Sequence, residues 1–403
     1  MLFGGPLKNF LVALMSIAVF AIALPAAEPE STKPLKIYVV DTEGGKADLW
    51  VTPSGETLLI DAGNPGGRDT DRILEVMKAA GVKQIDYLLL THYHSDHVGG
   101  VQELVNRIPP IKHFLDHGPT IEDGVNGHQR EMVPGFQAAY AEIYGKSQHT
   151  VLKPGDRIPL AGLDWRIVTS AGKVIATPLP GGGKPNPACA QAERKVDAHD
   201  PENSQSVGSV ITFGRFRAVD LGDLTTGIEY DLMCPNNPIG TADMYFVSNH
   251  GSNNASTPEF INGIQPRVAI FQNGPRKGAA VETFRTLYSS PRLEGIWQLH
   301  WSYGAGIEYN TPGIFIANIG DPASIANAVN PAPRTASTAP SMPQGPRPDQ
   351  PGGARARGGH GFGGKAAAHT PAYWIEVTVQ PDGAFTVLNT RNGYSKTYEP
   401  IGR

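Results

Sequence analysis

Two cysteines, Cys189 and Cys234, are all that 403 residues supply, so two cysteines this far apart build no structural zinc site by themselves. In an oxidising compartment they either pair as one disulfide or remain two thiols. Charge is sparse as well: 18% of residues are charged and the formal net charge is −4, which gives no global electrostatic case for nucleic acid or an anionic membrane. Long apolar runs are missing except for "FLVALMSIAVFAIAL" (Phe10 to Leu24). Lys8 precedes that run and the small-residue stretch "PAAE" follows it. The run is shorter than the ~20 residues a spanning helix needs, so residues 1–27 read as a cleaved signal peptide. No cysteine sits at the cleavage region, which argues against a lipoprotein. The expectation is an exported protein, periplasmic or extracellular, with no stable membrane span after cleavage.

What the chain does hold is a globular balance, 40% hydrophobic, with many Gly (47) and Pro (35). "LKIYVVDTEGGKADLWVTPSGETLLIDAG" reads as three short strands, 36–41, 47–52 and 56–61, divided by Gly- and Pro-marked turns. "DTDRILEVMKAAGV" carries apolar residues at helical spacing and stops at Gly81. A buried strand "IDYLLLT", a helix "HVGGVQELVNRI" and a strand "IKHFLDHG" follow, an order that implies helices layered on sheet. "PGDRIPLAGLDWRIVTSAG" suggests a hairpin, the stretch 177–200 is irregular, and strands are expected at 206–213 and 216–221. Residues 321–370 are Pro/Ala/Gly/Arg-rich with almost nothing apolar to bury, and read as a disordered, locally basic insertion. Residues 371–400 then form a β-hairpin turning at Asp382-Gly383 that packs on the main domain, 35–320.

The chemistry concentrates in "LLLTHYHSDHVGG" (Leu88 to Gly100), where three of 12 histidines and an aspartate fall within six positions. His92 and His94 alternate and leave an extended loop on one side. Asp96 and His97 open the next helix. Two imidazoles, then a carboxylate with an imidazole, make two half-sites for adjacent divalent metals of borderline hardness. The Gly99-Gly100 pair lets the backbone turn beneath them.

"THYHSDHVGG" resembles the H-x-H-x-D-H signature of the metallo-β-lactamase fold superfamily, and the resemblance spans most of 36–320. It implies a four-layer αββα sandwich. "TLLIDAG" resembles the family's first motif, with Asp61 bracing the metal loop from behind the ligands. "AVDLGDLT" resembles the strand-end motif whose aspartate bridges both metals, here Asp223 in preference to Asp220. "SNHGS" resembles the final histidine motif, here His250. The implied ligand set is His92, His94, Asp96, His97, Asp223 and His250. A third ligand for the first metal is His199, Asn203 or water, because "ENSQSV" stands where the family's hydrolases usually carry a further histidine. That segment, "GDL" with Glu229, and "HGS" look most like the extracellular hydrolase domain of bacterial DNA-uptake channel proteins. Redox di-iron members tend to carry Glu where this chain has His94, so the resemblance favours zinc-type hydrolysis.

The implied cofactors are two divalent ions, zinc first, with manganese or iron(II) as alternatives. The implied reaction is attack on the substrate by a metal-bridged hydroxide, with Asp96 and Asp223 orienting it and Asp96 relaying a proton. Substrate-side candidates are Tyr93, projecting from the metal loop; His117; Lys277, with Arg276 beside it in "NGPRKGAA"; and His300 in "WQLHWSYG". Each of His117, Lys277 and His300 reads equally as a surface or core residue. The expected substrate is a phosphodiester, small or polymeric; nucleic acid is admitted by the motifs and unsupported by the net charge. A β-lactamase or lactonase is the second reading, and a non-catalytic surface module the third.

Overall fold

The structure, a computed structural model, describes residues 1, 2, 4, 5, 33–122, 132–196, 201–320 and 369–401. The chain divides into two units, Met1–Glu30 and Ser31–Arg403, and all the described strands and helices belong to the second. The expected signal run, nearly all of the expected insertion, and His199 lie outside the described residues.

Alternation builds the first sheet. In Leu58-Leu59-Ile60, Leu58 and Ile60 join the central core while Leu59 joins the cluster under the outer helices. The strands are β1 (Leu35–Val39), β2 (Asp48–Val51), β3 (Thr57–Ile60), β4 (Tyr87–Leu89), β5 (His113–Asp116) and β6 (Gln148–Val151). Between them lie α1 (Arg68–Ala79), α2 (Ser95–Val98), α3 (Val101–Val105) and α4 (Val133–Tyr144). The expected single helix after the metal loop is therefore two short ones. They part at Gly99-Gly100, where a Cβ would stand 2.2 Å from the Ser95 carbonyl oxygen and 2.1 Å from that of Ala62.

The second sheet uses β7 (Arg157–Ile158), β8 (Asp164–Ser170), β9 (Lys173–Val174), β11 (Gly208–Phe213), β12 (Phe216–Asp220), β14 (Met244–Phe246), β15 (Val268–Phe271), β16 (Gly295–His300) and β17 (Ile316–Asn318), with β10 (Lys184–Pro185) and β13 (Asn236–Asn237) forming a separate small ladder. Helices α5 (Thr226–Met233), α6 (Pro258–Ile264) and α7 (Val281–Tyr288) cover its outer face, and α8 (Gly306–Tyr309) follows. Finally β18 (Ile375–Val379), β19 (Phe385–Asn389) and β20 (Ser395–Tyr398) return to the first sheet, whose order is β20-β19-β18-β1-β2-β3-β4-β5-β6. The C-terminal piece is thus three strands rather than two, paired antiparallel to β1 with Leu35 opposite Val379.

Three apolar layers separate four structural ones. The central layer faces sheet to sheet, with the Trp50 and Trp165 rings meeting edge-on at 4.9 Å. This is the mixed α/β sandwich of the metallo-β-lactamase fold, as the motif resemblance implies. Its consequence for chemistry is directional. β3 and β4 run parallel, as do β12 and β14, and the loops leaving their carboxyl ends carry Asp61, His92, Asp223 and His250. Among the described residues no helix is long and apolar enough to cross a membrane.

Candidate metal centre

Four side chains from these strand ends converge. Asp96, His97, Asp223 and His250 are all buried and bring one ligand atom each within 4.8 Å of one another. His97 Nε2 lies 3.4 Å from His250 Nε2 and from Asp223 Oδ1. His250 Nε2 lies 3.1 Å from Asp223 Oδ2 and 3.2 Å from Asp96 Oδ2. Both oxygens of Asp223 therefore face the cluster. Asp220, the rival aspartate, sits deeper: it accepts from the Gly222 amide at 3.0 Å and pairs with the buried Lys46 at 2.8 Å.

The other ring nitrogens settle which atoms face inward. His250 Nδ1 donates to the Gln272 carbonyl (3.2 Å), which turns its Nε2 toward the cluster. His97 Nδ1 meets Asp61 Oδ2 at 2.7 Å, which likewise turns Nε2 toward the cluster. Thr91 Oγ1 donates its proton to Asp61 at 2.8 Å and can then only accept from His92 Nδ1 at 3.0 Å, leaving His92 Nε2 as a free lone pair facing His94 Nδ1 at 3.0 Å. Facing ring nitrogens repel unless a proton or a cation lies between them. Together with two carboxylates, this buried N/O donor set fits divalent ions of borderline hardness. His92 and His94 stand beside the four-donor cluster, the His92 ring 4.1 Å from that of His97.

Electrostatics follow from burial. Burial, with His97 and His94 adding to it, holds His92 well below the ordinary imidazole range. Burial would lower His97 too, but Asp223, Asp96 and Asp61 outweigh it and hold His97 well above that range. Burial favours the neutral acids, yet Lys277 and His97 pull Asp96, and His250 and His97 pull Asp223, well below the carboxylate range.

The loops are held from outside the donor set. Asp61, at φ 58° on the end of β3, accepts from the Thr91 amide at 2.8 Å as well as from Thr91 Oγ1. Asn249 and His250 sit at φ 50° and 54°, a costly left-handed pair. Asn249 N donates to Gly222 O (3.0 Å) and Ala279 N to His250 O (2.9 Å), which fixes that turn. The Asn/Ser-rich segment serves as a bracket: Ser206 Oγ accepts from Asp223 N (3.3 Å) and Ser204 Oγ meets Thr225 Oγ1 (3.0 Å). Asn203 stands buried beside these serines.

Several expected substrate residues are placed elsewhere. Tyr93 does not project into the open: its hydroxyl donates to Gly118 O at 2.8 Å and its ring packs on His117 and Tyr140. The alternation that puts His92 and His94 on one side sends Tyr93 to the other. His117 is a buried partner of Glu202 (3.0 Å). His300 is a core residue, its Nε2 2.6 Å from Asp41 Oδ1. Asp41, His300 and His369 form a second group of close ligand atoms, but Arg72 lies 3.1 Å from Asp41 Oδ2 and already supplies the positive charge. Glu229 accepts from the amides of Ser256 and Thr257 and so braces α6. Lys277 contacts Asp96 Oδ2 directly.

Two groups escape a reading of the sequence. Glu202, fully buried, accepts from the Tyr93 amide (2.9 Å), His117 and Thr120, bracing the metal loop opposite Asp61. Nothing in "DPEN" marks it. Lys46 joins Asp48 and Asp220 at 2.8 Å each between the sheets, and the only sign is a lysine just ahead of a strand destined for burial.

Residues 44–172 match the metallo-beta-lactamase superfamily. The competence protein ComA of Neisseria gonorrhoeae is 25% identical over 263 residues, covering 65% of this chain and 30% of that protein. Hydroxyacylglutathione hydrolase of Aeromonas hydrophila is 34% identical over 129 residues, 28% of this chain and 47% of that enzyme. The matches thus span less than half the length of either relative. Among solved structures, the metallo-beta-lactamase fold protein YhfI from Bacillus subtilis aligns at TM-score 0.40 and 12% identity, over 66% of this chain and 96% of that one. A diphosphatase from the PhnP family aligns at TM-score 0.35 and 14% identity, over 66% and 94%.

Proposed function

Given a metallo-β-lactamase superfamily domain in this chain, we propose that it is an exported, binuclear metal-dependent hydrolase acting on a phosphodiester-type substrate. The observation that carries the reading is the convergence of Asp96, His97, Asp223 and His250, with both Asp223 oxygens turned inward. Asp96, His97, Asp223 and His250 would hold one divalent ion, zinc first, and His92 and His94, beside them, would hold a second with Asp223. Such ions supply Lewis-acid polarisation of the scissile group and a water acidic enough to react near neutral pH.

The chain's own part is orientation and proton handling. Asp96 Oδ2 and Asp223 Oδ2, flanking His250 Nε2, accept hydrogen bonds from the attacking water and fix its direction. Asp96, the carboxylate that the part-exposed Lys277 touches, would take a proton and return it to the leaving group. Asp61, Thr91 and Glu202 keep the ligand loop from relaxing as charge moves.

Export is supported by the Cys189–Cys234 disulfide, a bond kept in oxidising compartments. The phosphodiester form draws on the motif likeness to DNA-uptake proteins and on the match to a competence protein. A second reading, hydrolysis of an ester or cyclic amide, is favoured by the 34% identity to hydroxyacylglutathione hydrolase. The test is turnover of bis-p-nitrophenyl phosphate and of nitrocefin by the zinc- or manganese-loaded chain. Phosphodiester turnover lost in Asp223→Ala supports the first reading, nitrocefin turnover alone promotes the second, and neither leaves a non-catalytic module.

A further inference from the structure

Lys277 stands in the loop 273–280, and close backbone approaches fix where it stands. A Cβ on Gly274 would lie 2.3 Å from the Glu43 carbonyl oxygen, and one on Gly278 2.1 Å from that of His250. A Cβ on Gly44 would lie 3.0 Å from Cβ of Lys277 itself. Gly274 N donates to Lys277 O at 3.0 Å, closing the turn, and Asn273 Nδ2 ties it to His300 O at 2.9 Å. The amide of Ala279 holds His250 O. Lysine and histidine are thus set by one piece of backbone.

The ammonium contacts Asp96 Oδ2, while the side chain stays 34% exposed. Neighbouring cations are committed elsewhere. Arg276 lies over the Tyr303 ring at 5.1 Å, Arg68 and Arg72 pair with Glu43, and Lys46 is sealed between Asp48 and Asp220. Among the described residues, Lys277 is the cation that reaches the donor cluster from the solvent side.

We infer that Lys277 is the anion-recognition residue of this site, and that it selects substrates whose scissile group is already negatively charged, such as a monoanionic phosphodiester. The inference rests on the metal-dependent reading proposed above. A carboxylate shared with divalent ions no longer neutralises an adjacent ammonium in full, and an ammonium beside cations is costly unless an anion lies among them. A phosphodiester brings that anion in its ground state. A neutral ester develops it only as the reaction proceeds. Lys277 therefore acts already on binding of the first, whereas with the second it is engaged only in the transition state.

The test uses the metal-loaded full chain, with inorganic phosphate as probe, by titration calorimetry. Replacing Lys277 by Met is expected to weaken phosphate binding by roughly 10–100-fold, the worth of a charge-assisted hydrogen bond, and Lys277→Arg to recover most of it. The loss for bis-p-nitrophenyl phosphate should appear mainly as a raised KM, and any loss for p-nitrophenyl acetate mainly as a lowered kcat. Phosphate affinity within about twofold of the parent in Lys277→Met would overturn the inference. So would a loss of bound metal in that variant, which would make Lys277 a support for Asp96. If the parent cleaves only the neutral ester, the phosphodiester reading fails, and phosphate inhibition of that turnover still decides the role of Lys277.

Discussion

Asp61 stands outside the donor cluster, yet it receives Thr91 N, Thr91 Oγ1 and His97 Nδ1 on two oxygens. An asparagine there keeps one acceptor and puts an amide against donors. Asp61→Asn is expected to lower metal affinity by roughly 10–100-fold with the fold intact, read by chelator competition alongside circular dichroism. The clustering of Asp96, His97, Asp223 and His250 is legible because His and Asp at these spacings have few other uses. Tyr93 obeys the same alternation as its two neighbours, and that alternation, carried one residue further, places it in the core rather than in the open. Glu202 is illegible for a different reason: its partners Tyr93, His117 and Thr120 lie some 80 to 110 positions away, and a lone glutamate carries no periodic signal.

Elements join at ion pairs that the sequence does not advertise. His369, just before β18, places Nε2 2.9 Å from Asp41 Oδ2 and Nδ1 3.1 Å from Glu43 Oε1, with Arg72 and His300 packed on the same carboxylates. Hydrogen bonds to Asp41 and then Glu43 push its pKa up from the ordinary 6.5 to about 9, against partial burial. Because the folded value is the higher, the stability His369 contributes is fully present below pH 6.5 and is lost as pH rises through about 9. The side chain is 36% exposed, so solvent screening keeps the effect small. Melting temperatures of the parent and His369→Gln should differ most near pH 6 and converge near pH 10; a gap that widens with pH would contradict the assignment. Composition extends the expected insertion to residue 370, whereas His369 shows that its end belongs to the sandwich. Helix α4 is not announced by the sequence either, since only Val133 and Tyr140 of its apolar residues are buried and its pattern is weak.

At the scale of the molecule, a sandwich covered on both sides explains why "YLLL" is apolar without alternation, and that makes the layered class readable. Sheet order is not readable. β1 pairs with β18 across more than three hundred residues, and no local signal records which edge a C-terminal hairpin will choose. The Cys189–Cys234 bond spans a separation of 45 residues and staples the segment before Glu202 to the end of α5. Chain-entropy arguments assign a loop of that size about 4 kcal/mol. The double substitution Cys189→Ser, Cys234→Ser is expected to lower the unfolding free energy by up to about that amount in urea titrations. An unchanged midpoint would mean that the segment is held by packing alone.

The central claim is that buried imidazoles and carboxylates at the strand ends form a two-metal centre. Elemental analysis of the purified chain after zinc loading and exhaustive dialysis tests it most directly, with Asp223→Ala in parallel. The account predicts two ions per parent chain and a marked loss in the variant, whose missing carboxylate would serve both positions. A parent chain that retains no metal after zinc or manganese loading would contradict it.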